Sequence, residues 1–296
     1  MINKSKKKIV PRPRLPEWIR VKAYAGEGRK KVQNIISKFG LNTVCESARC
    51  PNLGECWHNQ TATFMILGDV CTRNCQFCAV NHGEPVSPDL QEPYKIARAV
   101  KEMSLKYVVV TSVTRDDLED GGAWHFSKVI QLTREVNGVE VKIEVLTPDF
   151  NGDTSALKTV LDAKPTVFNH NIETVKRLSS TIRKTATYEK SLTVLGNAYN
   201  MSNGMVPIKS GLMVGLGESD SEVETAIMDL RDAGVSLLTI GQYLPPSLSS
   251  WPLERYVHPE VFMRWKKFAL DLGFVNVESA PLVRSSYHAE AFIGKL

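Results

Sequence analysis

Apolar and polar positions along this chain fall into a repeating alternation of two kinds of segment. Short apolar, β-branched runs at 62–67, 107–111, 141–146, 166–169, 208–214 and 237–240 predict strands. Most are followed by a stretch in which apolar residues recur at helical spacing. Over 219–233, Ser219 and Glu222 have the spacing of a capping box, Val223, Ile227 and Leu230 form one stripe, and Gly234 stops the helix. Over 92–103, Pro93 suits a first turn and Ile96, Val100 and Met103 share a face. Strands separated by helices predict βα units around a parallel sheet. Six units fit an α/β fold of the incomplete (βα)6 barrel type, and an open doubly wound sheet fits the same count.

In either architecture, chemistry gathers in the loops after the carboxyl ends of strands. Those loops hold residues 111–122, Leu146-Thr-Pro-Asp149, Asn169-His-Asn171, Gly215-Leu-Gly-Glu218 and Gln242-Tyr-Leu-Pro-Pro246. Ahead of the first strand, Pro11-Arg-Pro-Arg-Leu-Pro16 predicts an extended leader and residues 27–38 a helix. The expected organisation has three parts: an amino-terminal extension over 1–60, a barrel over 61–280 and a carboxyl-terminal segment over 281–296.

Charge and composition narrow the class. Hydrophobic residues at 43% and charged residues at 23% are ordinary for a globular protein, and no apolar run reaches membrane-spanning length. Residues 1–31 carry eleven Lys or Arg against Glu17 and Glu27, so the rest of the chain is net acidic although the whole is +5. This basic arm reads either as a docking surface for an acidic partner or as a solvated tail. No aromatic residue is interleaved with Lys6 to Arg14, which argues against nucleic acid as partner.

The six cysteines fall into two triads, Cys45-x4-Cys50-x5-Cys56 and Cys71-x3-Cys75-x2-Cys78, with none left over. The first occupies a loop with Pro51 and Gly54, and the second follows the first barrel strand. Closely spaced thiolates in turn-rich loops suit iron–sulfur clusters, and three per site leave one iron open. Structural zinc prefers four ligands in paired C-x2-C half-sites, a spacing found only at Cys75 and Cys78. Disulfides need an oxidising compartment, and nothing here reads as a secretory signal; reduced thiols point to the cytoplasm. Clusters lead, with zinc and disulfides as competitors.

The segment Cys71-Thr-Arg-Asn-Cys75-Gln-Phe-Cys78 resembles the radical S-adenosylmethionine (SAM) superfamily. Within it, nearly the whole chain from about residue 14 to 290 resembles the lipoyl synthase family. The resemblance rests on Cys45-Glu-Ser-Ala-Arg-Cys50-Pro-Asn-Leu-Gly-Glu-Cys56, Thr111-Ser-Val-Thr-Arg-Asp-Asp117, Asn169-His-Asn-Ile-Glu-Thr174, Lys209-Ser-Gly-Leu-Met-Val-Gly-Leu-Gly-Glu218 and Arg284-Ser-Ser-Tyr-His288. It departs at Arg183-Lys-Thr-Ala186, where relatives often carry a proline–glycine turn.

The resemblance implies two 4Fe–4S clusters per chain and SAM as cofactors. Cys71, Cys75 and Cys78 would hold the SAM-cleaving cluster. Cys45, Cys50 and Cys56, with Ser286 as fourth ligand, would hold an auxiliary cluster that is consumed as the sulfur source. The reaction implied is a sulfurtransferase one, two sulfur atoms being inserted at carbons 6 and 8 of a protein-bound octanoyl-lysine at the cost of two SAM. Implied partners are octanoylated lipoyl carrier proteins, namely the glycine-cleavage carrier protein and 2-oxo-acid dehydrogenase acyltransferase subunits. An electron donor such as ferredoxin or flavodoxin and a cluster-assembly carrier complete the set, with no membrane and no nucleic acid.

Around SAM, Glu144 is expected at the ribose hydroxyls, with a solvated strand-end carboxylate as the alternative. Thr111 and Ser112 line the pocket or cap a turn, and Asn169 and Asn171 hold SAM polar groups or satisfy strand-end backbone. Phe77 packs near adenine or simply in the core. Arg284 orients the acyl carrier or pairs with Glu46 or Glu55. Gly215-x-Gly217 lacks a third glycine in phase, so a dinucleotide fingerprint is weakly supported. A radical enzyme thiolating a small molecule or RNA, and a zinc-dependent nucleic-acid-binding module, are the rival functions.

Overall fold

The computed structural model describes residues 14–21, 26–287 and 289–290. The run of lysines proposed as a docking arm, residues 1–13, and His288 lie outside the described residues. Ahead of the barrel come helix α1 (Glu27–Phe39), strand β1 (Asn42–Thr43) and two short helices, α2 (Val44–Ser47) and α3 (Leu53–His58). The barrel opens with β2 (Thr63–Ile66), a small ribbon of β3 (Val70–Cys71) and β4 (Asn81–His82), then α4 (Glu92–Met103). It continues through β5 (Tyr107–Ser112), α5 (Ala123–Asn137), β6 (Lys142–Leu146), α6 (Thr154–Asp162) and β7 (Val167–Asn169). The last part holds α7 (Lys176–Ile182), α8 (Tyr188–Met201), β8 (Ile208–Val214), α9 (Asp220–Asp232), β9 (Leu237–Gln242), α10 (Pro259–Asp271) and β10 (Asn276–Ser279).

One sheet runs β1-β2-β5-β6-β7-β8-β9-β10, parallel throughout except where β1 pairs antiparallel with β2. Six βα units are therefore present, and a seventh parallel strand, β10, pairs with β9 from Asn276–Leu237 to Ser279–Ile240. The sheet's outer strands are β1 and β10, so the barrel stays open, as expected for the incomplete type. Helix α9 carries the reciprocal capping box of Ser219 and Glu222, and α4 has Pro93 in its first turn.

Strands buried on both faces read as continuous apolar runs, which is the signature of a parallel sheet under helices. Phe64, Ile66, Val108, Val110, Ile143, Val145, Phe168, Val214, Leu238 and Ile240 are all buried between the barrel interior and the helix ring. Burying such side chains contributes roughly 1.5–3 kcal/mol each, so this layer dominates fold stability. The leader segment seats Ile19 in the protein and sets Trp18 edge-on to His258, ring centroids 5.0 Å apart.

Candidate active site at the carboxyl ends of the strands

The second cysteine triad sits on the loop that leaves β2, anchored where β3 pairs with β4. The turn that launches it is tight: Leu67 and Gly68 both have positive φ, at 68° and 91°. The three thiols share an electrostatic environment, since Cys75 is raised by Cys71 and Cys78, and Cys78 by Cys71. Burial is the main cause in both, pushing Cys75 up to about 12 and Cys78 up to about 11. Cys78 keeps solvent access. Backbone amides of Arg73 and Val80 donate to the sulfurs of Cys71 and Cys78, each at 3.4 Å. Phe77, half-buried, packs against the hydrophobic core.

Behind these thiols the strand ends are rich in buried polar groups. Ser112 Oγ, Thr147 Oγ1, Asn169 Oδ1, Asn171 Oδ1 and Thr174 Oγ1 are buried without a hydrogen-bond partner among the described residues. Such a concentration of unpaired polar atoms is costly unless a ligand completes them. Glu173 adds a carboxylate held at φ 66°. Its acidity is weakened by burial, and Arg183 and Asn171 act in the opposite sense. Arg183 also lowers Cys75, and its Nη1 donates to the Ile172 carbonyl and to Ser191 Oγ, each at 2.9 Å.

Two expected SAM contacts are already engaged. Glu144 is fully buried and bonds Lys209 Nζ at 2.9 and 3.1 Å, Tyr107 Oη at 2.6 Å and Asn169 Nδ2 at 3.0 Å. Thr111 Oγ1 donates to the Leu146 carbonyl at 2.9 Å, bracing β5 against β6. Ser112, Asn169 and Asn171 keep acceptor atoms available. Glu173 and Arg183 are the groups that spacing alone did not single out, although Asn169-His-Asn-Ile-Glu presents Glu173 two residues beyond Asn171.

The first triad is built by α2 and α3. Thr43 caps α2, setting Cys45 in its first turn, and the Cys50 amide closes back on the Cys45 carbonyl at 3.0 Å. Burial pushes Cys45 up to about 11 and Cys56 up to about 12, and Cys56 is raised further by Cys45, Cys50 and Glu55. The Trp57 indole works against that rise at Cys45, although its buried N–H has no hydrogen-bond partner among the described residues.

The carboxyl-terminal segment closes over this triad. Asn52 Nδ2 donates to the Leu282 carbonyl at 2.7 Å, and Tyr287 Oη donates to Glu55 Oε1 at 3.0 Å. Arg284, lowered by burial, has Cys50 as its electrostatic partner, and its Nη1 donates to the Val283 carbonyl at 2.6 Å. Ser286 thus lies between Arg284 and Tyr287, both anchored at the triad. The expected pairing of Arg284 with a carboxylate gives way to the Pro281 and Val283 carbonyls, because Glu46 turns to Thr43 and Glu55 to Tyr287.

One further segment touches both triads: Arg49 Nη1 donates to the Pro246 carbonyl at 3.3 Å, and the Trp251 amide to the Gln76 carbonyl at 2.8 Å. All six cysteines are free thiols. Among the described residues, no three His, Cys, Asp or Glu side chains are gathered closely enough to hold one metal ion. Three thiols per triad are one short of a tetrahedral zinc site, whereas a cluster takes each thiolate at a different iron and can leave one iron open.

Known proteins resemble this chain over most of its length. The model for the Radical SAM superfamily matches residues 65–230, and that for the N-terminal domain of lipoyl synthase of the Radical SAM family matches residues 2–50. The chain is 53% identical over 275 residues to a lipoyl synthase of Caldicellulosiruptor saccharolyticus, covering 93% of this chain and 96% of that one. It is 54% identical over 275 residues to a lipoyl synthase of Rubrobacter xylanophilus, covering 93% and 85%. Among solved structures, methylornithine synthase superposes with a TM-score of 0.54 at 13% identity, over 76% of this chain and 73% of that one. Coproporphyrinogen III oxidase from Escherichia coli does so at 0.52 and 12%, over 77% and 57%. These structural likenesses speak for the fold alone.

Proposed function

The chain belongs to the lipoyl synthase family of the radical SAM superfamily, and from that premise we propose which residues carry each task. The family reaction inserts two sulfur atoms at carbons 6 and 8 of an octanoyl-lysine on a lipoyl carrier protein. When bound, SAM and the two clusters supply hydrogen abstraction from unactivated carbon and the sulfur itself.

Everything else falls to side chains of this protein. Cys71, Cys75 and Cys78 hold the SAM-cleaving cluster. Ser112, Asn169 and Asn171 offer buried hydrogen-bonding atoms to SAM, and Glu173 offers a carboxylate. Glu144 works from beneath, as the Lys209-bonded floor of the cavity that fixes the Asn169 amide. Phe77 and Thr111 complete the wall. Cys45, Cys50, Cys56 and Ser286 hold the auxiliary cluster, and Arg284 sets the charge beside Cys50.

The observation carrying this reading is the seating of residues 281–287 on the first triad. Arg284 and Tyr287, anchored at the triad, flank Ser286, which supports that serine as the fourth ligand. We read 1–60 as the auxiliary-site extension, 61–280 as the barrel and 281–296 as its closing segment. The glycine-cleavage carrier protein and 2-oxo-acid dehydrogenase acyltransferase subunits are proposed as carriers, a ferredoxin or flavodoxin as reductant, and a cluster-assembly protein as the source of new clusters. No helix among the described residues is long and apolar enough to cross a membrane, and we place the enzyme in the cytoplasm.

The test compares the reconstituted chain with a Cys45→Ala, Cys50→Ala, Cys56→Ala variant on an octanoylated carrier. The variant should keep one cluster, cleave SAM and yield no lipoyl product by mass spectrometry. Lipoyl formation by that variant would overturn the assignment of the first triad.

A further inference from the structure

Arg73 lies inside the Cys71-to-Cys75 loop, and its side chain is almost completely buried. Its guanidinium makes a bidentate pair with one aspartate and a hydrogen bond plus a close ionic contact with a second. Nε and Nη2 bond both Asp116 oxygens at 2.8 and 2.7 Å. Nη1 and Nη2 meet both Asp149 oxygens at 2.9 and 2.7 Å. Nη2 also donates to Asn151 Oδ1 at 2.9 Å, and Asn151 Nδ2 returns to Asp116 at 3.0 Å. Asp116 belongs to the loop after β5 and Asp149 to the loop after β6.

One residue of the cysteine loop is therefore bolted to two successive strand ends. Thr72 reinforces it by bonding the Thr114 carbonyl through both its amide and its hydroxyl, at 3.0 Å each. On the far side of Cys75, the Gln76 amide donates to the Ile182 carbonyl at 2.9 Å and its Nε2 to the Thr181 carbonyl at 2.9 Å.

We propose that Arg73 is a positioning residue that builds the loop of the SAM-cleaving cluster to shape before any cluster is present. This role rests on the functional reading above, in which Cys71, Cys75 and Cys78 hold that cluster. A loop bearing three thiolates is otherwise a floppy chelate, and ordering it at the moment of binding would weaken its hold. The clamp meets that entropic cost during folding. It also fixes the amide of Arg73 itself, which donates to the Cys71 sulfur at 3.4 Å. Hydrogen bonds to cluster sulfurs are among the groups that set reduction potential, each added donor favouring the reduced state. The auxiliary triad is seated by other bonds, Arg49 to the Pro246 carbonyl, Asn52 to the Leu282 carbonyl and Tyr287 to Glu55, so the two sites should respond differently to a substitution at Arg73.

The experiment measures cluster release to a ferrous chelator from the reconstituted full-length protein, using EPR to follow the signal that changes on adding SAM. In Arg73→Gln that cluster should leave at least about tenfold faster, the effect of roughly one charge-assisted hydrogen bond. Its midpoint potential should move to more negative values, and the SAM-insensitive cluster should leave at the wild-type rate. Arg73→Lys, able to satisfy one carboxylate at a time, should fall between. Asp116→Asn, at a partly exposed position, gives a milder variant should Arg73→Gln fail to fold, with acceleration of about threefold from losing one charged acceptor. A SAM-sensitive cluster that leaves Arg73→Gln, or failing that Asp116→Asn, at the wild-type rate overturns the proposal. So does equal loosening of both clusters accompanied by a lower melting temperature, which would make Arg73 a general stabiliser. A wild-type chain with no SAM-sensitive signal would instead overturn the functional reading, and this proposal with it.

Discussion

Tyr287 donates its hydroxyl to the Glu55 carboxylate at 3.0 Å, joining residues 232 positions apart. Ser286 is the immediate neighbour of the donor, and Cys56 the immediate neighbour of the acceptor. The bond therefore registers the proposed serine ligand on the auxiliary triad. Removing the hydroxyl in Tyr287→Phe should cost about 1–2 kcal/mol of closure, roughly a tenfold loosening of the segment. Lipoyl formation should drop about as far while SAM cleavage continues, so the ratio of 5′-deoxyadenosine to lipoyl product rises. An unchanged ratio would mean that the segment is held in place without this bond.

Between β6 and β8, Lys209 and Glu144 form an ion pair with both side chains fully buried. Breaking a buried pair by removing one partner leaves a desolvated charge, which costs about 3–5 kcal/mol. Lys209→Met should lower the stability of the metal-free protein by that order in urea denaturation. Pairing it with Glu144→Gln should recover part of the loss, because no unpaired carboxylate then remains. If the double variant were less stable than the sum of the singles, the pair would not be acting as a compensated unit.

What the sequence disclosed, and what it concealed, follows from range. The six predicted strands were readable because burial on both faces demands continuous apolar runs such as Val108-Val109-Val110. Strand β10 was not, since Asn-Val-Glu-Ser offers a single apolar residue, Val277, to mark it. Thiols announce themselves because few groups hold iron, so both triads were legible from spacing and resemblance. The destination of Glu144 was not, because its partner Lys209 is 65 residues further on and reaches it only across the barrel. The same holds for Arg73, whose aspartates lie 43 and 76 residues away. Its position between two cysteines was visible, but the clamp is a property of three loops meeting.

His170 supplies a pH-dependent component of stability. Its ring nitrogens bond the Thr147 carbonyl at 2.9 Å and Ser191 Oγ at 3.0 Å, with no room for hydration. Burial, with Arg183 adding to it, pushes the imidazole down to about 4. In the unfolded chain the ring takes a proton near pH 6.5, so between pH 6.5 and 4 the unfolded state binds more protons than the folded one. Stability from this group is complete above pH 6.5, declines as pH falls through that window and drops no further below it. The total is about 3 kcal/mol. Denaturant unfolding of the metal-free protein at pH 7 and pH 4.5 should show most of this difference, and His170→Gln should reduce it. An equal acid loss in the variant would place the effect elsewhere.

Gly241 decides how closely the carboxyl-terminal segment can approach the sheet. It lies in β9, and a Cβ added there would stand 2.1 Å from the Val283 carbonyl oxygen and 3.3 Å from Arg284 Nη1. The neighbouring Gln242 amide donates to the Pro281 carbonyl at 3.2 Å, so segment and strand are already in backbone contact and neither can yield cheaply. Gly241→Ala should therefore displace residues 281–284, carrying Arg284 away from Cys50 and Ser286 away from the triad. The expected variant is folded, holds the SAM-cleaving cluster and cleaves SAM, but its auxiliary cluster is lost to chelator faster and lipoyl product falls by about tenfold or more, as for a seat destabilised by over 1.4 kcal/mol. Gly40→Ala is the control, because its Cβ meets nothing within 4 Å and its only penalty is a positive φ of 61° at the end of α1. Should Gly241→Ala make lipoyl product at the wild-type rate, the close packing of this segment on β9 would have no part in holding the auxiliary site.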